Sequence, residues 1–82
     1  MTNNNLTQQQ KDRINMLLIA ELSKVYEDRY RNQLIVSNNE NRPPLDNEKQ
    51  EQKRQDMLEN FRSVVEMYDK DIQVLEEIQK IL

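Results

Sequence analysis

Cysteine, histidine, glycine and tryptophan are all absent from this 82-residue chain, and each absence removes a class of structure or chemistry. Without cysteine there is no disulfide and no thiolate ligand. Without histidine, zinc, haem and non-haem iron sites lose their commonest ligand, and serine or threonine has no imidazole base to activate it. Turn-rich β folds and phosphate-binding loops depend on glycine for positive φ and close backbone approach, so both are disfavoured. The two prolines, Pro43 and Pro44, are adjacent and mark one interruption in the chain. An all-α chain with few turns is what remains.

Charge of one sign is also missing. Twelve basic and 15 acidic residues are interspersed for a net charge of −3, which gives no basic field for nucleic acid or an anionic membrane. No apolar run approaches the ~20 residues of a membrane span. The first ten residues, MTNNNLTQQQ, lack the charged start and apolar core of a signal peptide. The expected compartment is the cytoplasm, with the nucleus as the alternative.

Two helical segments stand out. Thr7 with Gln10 three residues later has the pattern of a capping box. Beyond it, Ile14, Leu18, Leu22, Val25 and Val36 share one stripe at 100° per residue. The stretch INMLLIAEL is different, because Met16, Leu17, Leu18, Ile19 and Ala20 surround the helix axis. One neighbouring helix cannot cover a turn that is apolar all round, so a bundle of three or four helices is expected.

The polar cluster SNNENRPP ends this helix, since each proline disfavours helical geometry in the residue before it. In the second segment Leu58, Phe61, Val65, Tyr68, Ile72, Leu75 and Leu82 follow a 3-4 spacing, widened by Met57, Val64 and Ile78. The expected layout is a single domain: a flexible N-terminus over 1–6, helix over 7–36, a polar proline-containing loop over 37–45, and helix over 46–82 with Asp46 as its N-cap.

Residues 47–56 pose the central question, because they are built from strong helix formers but contain no apolar residue. If they are helix and the chain folds back at the middle of the connection, Val25 faces Leu58, Ile14 faces Asp69, and the apolar end from Ile72 to Leu82 projects beyond its own partner helix. If they are loop, Val36 faces Leu58 and Ile14 faces Lys80, and the two apolar stretches match. A structureless stretch of that length is rare in so small a domain, so early helix and an apolar overhang are expected.

The expected architecture is therefore an antiparallel two-helix hairpin belonging to an oligomeric helical bundle or coiled coil. Its expected interaction face comprises Leu18, Leu22, Val25, Phe61, Val65, Tyr68, Ile72, Leu75, Ile78 and Leu82. The implied function is that of a non-enzymatic protein–protein interaction module, an adaptor, regulator or complex subunit. Its partner is a second copy, most simply as a dimer, or a helical protein, with no cofactor, metal, membrane or small-molecule substrate.

Competing readings are weaker. Paired acids such as Glu66 with Asp69 suit a solvated helix face better than catalysis or a di-metal bundle, which would need Glu-x-x-His units. Tyr26 and Tyr30 with Lys24, Arg29 and Arg31 resemble a stacking and phosphate-binding patch, but Glu27 and Asp28 lie among them, so nucleic acid is disfavoured. A small helical inhibitor of a target enzyme is a further alternative. The second helix is a poor membrane-surface helix, because residues 57–82 hold six acids against three bases.

Overall fold

A computed structural model of the chain describes residues 5–82. Residues 1–4 of the expected flexible N-terminus lie outside the described residues. Two helices, α1 (Gln8–Glu40) and α2 (Glu48–Ile81), pack against each other with no strand among the described residues. The all-α hairpin expected from the sequence is the fold.

The start of α1 is the capping box. Thr7 Oγ1 accepts from Gln10 N at 3.1 Å, and Thr7 N donates to Gln10 Oε1 at 2.9 Å, so two backbone donors left over at a helix start are satisfied reciprocally. The other end runs to Glu40, past the expected Val36. Serine and asparagine weaken a helix without breaking it, and Pro43 constrains only the residue just before it. The start of α2 differs from expectation by a residue or two: Asn47, and not Asp46, is the N-cap, accepting from Lys49 N at 2.9 Å and Gln50 N at 3.2 Å. Asparagine and aspartate cap about equally well, and capping at Asn47 leaves Leu45 free to donate to Glu51.

The register corrects the sequence reading. Leu22 and Val25 form a buried cluster with Ile72, joined by Tyr68 and Leu75. Arg29 pairs with Asp69, Glu40 with Arg62, and Asn15 with Gln79. Val25 therefore faces Ile72 where Leu58 was expected, a displacement of about four helical turns. Ile72 and Leu75 are covered by the chain's own α1, and the expected apolar overhang does not exist.

The reason lies in the connection. Residues 41–47 do not fold at their midpoint but climb beside the first turns of α2, so helix and matched apolar stretches occur together. It is the polar start of α2 that projects past α1, along a molecule 62 Å long, 22 Å wide and 14 Å thick. Residues 48–56 carry no apolar side chain, and Arg54 among them ties to α1 through a polar bond to Asn39.

The core is narrow. Leu22, Val25, Val36, Leu58, Val65 and Ile72 are buried, and Leu58 is only 1 % exposed. A single row of this kind contributes little to a chain of this length.

Candidate interaction surfaces

Nine of the ten residues expected to form the interaction face turn toward the hairpin's own seam. Leu22, Val25, Val65 and Ile72 are buried, Leu18, Phe61, Tyr68, Leu75 and Leu82 are half-buried, and Ile78 alone is exposed. They are first of all the intrachain core. What the chain leaves uncovered is a second apolar row on each helix.

On α1 this row is Met16, Ile19, Tyr26, Tyr30 and Leu34, continued by the small Ser23 at its middle. The positions recur at three- and four-residue intervals, roughly 110° around the helix from the seam. Met16 is 61 % and Tyr30 63 % exposed. On α2 the corresponding row is Met57, Met67, Val74, Ile78 and Ile81 with the half-buried Val64, interrupted by Asp71.

The two rows lie on opposite faces of the flat hairpin, because antiparallel helices rotate in opposite senses along the common axis. The pairs Arg29–Asp69, Glu40–Arg62 and Asn15–Gln79 all close the seam along the α1-row face. The other edge is more open: Glu21, Val25, Asp71, Val74 and Leu75 line a groove of about 230 Å³ there. Two carboxylates beside three apolar side chains give that groove an acidic margin.

The all-round apolar turn in INMLLIAEL was the sequence signal for these surfaces. Met16, Leu17 and Ile19 remain exposed, because α2 covers only one side of that turn.

A different arrangement holds the hinge. Arg54, with its side chain 11 % exposed, donates from Nη1 to both oxygens of Glu51 at 2.9 and 2.8 Å. From Nη2 it donates to the carbonyls of Asn39 at 2.6 Å and Arg42 at 3.0 Å. One guanidinium thereby serves a carbonyl in the last turn of α1 and another in the connection. Glu51 accepts further bonds from Leu45 N and Gln55. The Leu45 backbone bond chiefly, then the Gln55 side chain and the Arg54 charge, hold its carboxyl below the ordinary glutamate value of 4.5. Beside this latch, an open cleft of about 530 Å³ lies between the connection and the start of α2, with Pro43, Leu45 and Met57 in its wall.

The cations weighed for nucleic acid are dispersed. Arg29 pairs with Asp69 and Arg31 with Glu27, while Lys24 and Arg31 lie on a different side of α1 from Tyr26 and Tyr30. Among the described residues no cluster of carboxylates has the grouping of a metal site, and no helix is long and apolar enough to cross a membrane. Comparison with protein-family models, curated proteins and solved structures finds no match.

Proposed function

We propose that the chain is a non-enzymatic protein–protein interaction module, a small helical adaptor, regulator or complex subunit acting through apolar helix faces. One observation carries this reading: with the seam of the hairpin filled, each helix still exposes a second apolar row, and a rod one helix thick has no interior to receive them. Extended exposed apolar rows are characteristic of surfaces that bind protein. A cytoplasmic or nuclear setting fits the lack of cysteine.

The α2 row suits a partner helix. Its 3-4 spacing matches knob positions on a facing helix, and the carboxylates of Glu21 and Asp71 beside it favour basic residues flanking the partner's apolar ones. A photo-crosslinking residue placed at Val74, with a control at exposed Gln52, tests this in the native host. A crosslinked protein species specific to position 74 supports the proposal. No crosslink above the Gln52 control, from Val74 or from Tyr30 on the other face, would overturn it.

A further inference from the structure

We propose that the α1 row is a self-pairing surface on which a second copy of this chain docks its own α1 in antiparallel orientation. The inference rests on the interaction reading above and names the occupant of one of its two faces.

Steric complementarity comes first. No charged residue stands in the row from Met16 through Ile19, Ser23, Tyr26 and Tyr30 to Leu34. Its centre lies between Ser23 and Tyr26, so antiparallel pairing about that point sets each Tyr26 ring on the partner's small Ser23. Ile19 then meets Tyr30, and Met16 meets Leu34. Large side chains face small ones at the centre, which is the condition for close helix packing. A parallel pairing would set Tyr26 on Tyr26 and waste the gap at Ser23.

Charge sets this row apart from the one on α2. Glu27, at the edge of the row away from α2, is met by Arg31 of its own helix, and Lys24 lies on the other side of α1. The α2 row is unsuited to a second copy, since Asp71 interrupts it and Glu21 borders it. Two such faces brought together would oppose carboxylates.

The area suffices for a weak dimer. The exposed parts of Met16, Ile19, Tyr26, Tyr30 and Leu34 amount to roughly 500 Å² per copy, large for one patch on a monomer. Two copies together bury about 1,000 Å², near the lower limit of specific interfaces and consistent with dissociation at about 10–100 µM.

Sedimentation equilibrium from ~1 to ~500 µM spans that range. The wild type should pass from monomer to dimer. Tyr30→Glu, at an exposed position that leaves the hairpin's circular dichroism unchanged, should remain monomeric. Lys24→Glu, on the other side of α1, should leave the dimer unchanged. A wild type monomeric throughout would overturn the proposal, as would a dimer indifferent to Tyr30→Glu. Loss of the dimer on Lys24→Glu would overturn it equally. None of these results bears on crosslinking from Val74, which reports on the partner face separately.

Discussion

The Arg54 guanidinium donates to the Asn39 main-chain carbonyl across the hinge at 2.6 Å, tying the last turn of α1 to the second turn of α2. The same side chain holds Arg42 in the connection and Glu51 one turn earlier. It thereby fixes how far the connection climbs before α2 begins, and with that the register of the seam.

Arg54→Met keeps much of the side-chain volume and removes every donor. The carbonyls of Asn39 and Arg42 lose a charged partner, at a cost of about 1–3 kcal/mol by urea unfolding. Hydrogen exchange should quicken over residues 39–47 and little elsewhere. Arg54→Lys should not restore the wild-type value, because an ammonium lacks the planar fork that serves both Glu51 and the carbonyls.

Glu51 gives the hinge a pH dependence. Its carboxyl is held below 4.5 in the folded chain, so between the lower folded value and 4.5 the folded state binds fewer protons than the unfolded state and stability rises with pH. That gain is fully present above the unfolded value near 4.5 and is lost as pH falls through the lower folded value. The unfolding midpoint of the wild type, followed from pH 7 to acid, should therefore exceed that of Glu51→Gln at neutral pH and converge toward it as pH falls below 4.5. A constant difference at all pH values would contradict the role given to this carboxylate.

Leu58→Ala should cost about 2–5 kcal/mol, as expected for a fully buried leucine. In a hairpin with so small a core, that is enough to leave a large unfolded fraction at 25 °C. Ile81→Ala, at a position 79 % exposed, should stay within about 0.5 kcal/mol. Urea titrations of the two variants, monitored at 222 nm, make the comparison.

Both helices, the capping box at Thr7 and Gln10, and the 3-4 seam of α2 were legible because each is a local pattern. The partner of each seam residue was not. The helix-forming composition of residues 48–56 agrees with α2, but placing the fold at the midpoint of the connection put Val25 against Leu58. A proline pair in a short connection can as readily climb along a helix as reverse beside it, and the deciding contacts are side chain to main chain. Nothing in the sequence marks Arg54 as the residue that reaches Asn39. The ten-residue interaction face was read from the same spacing, which does not tell an intrachain partner from a second chain, and in the hairpin nine of its residues face the seam. The outward rows were hinted at only by the apolar turn around Met16 and Ile19.

The most direct test is of the register, since it decides which apolar faces the hairpin covers for itself and which it leaves to partners. With no native cysteine, a nitroxide on Glu21→Cys is a single label, and dilution into excess unlabelled chain restricts its effect to one molecule. Paramagnetic broadening on α2 should centre on Asp71, Val74 and Leu75, the residues that share a groove with Glu21. Broadening centred on Arg62, with Val74 unaffected, would contradict the register and with it the assignment of the outward faces.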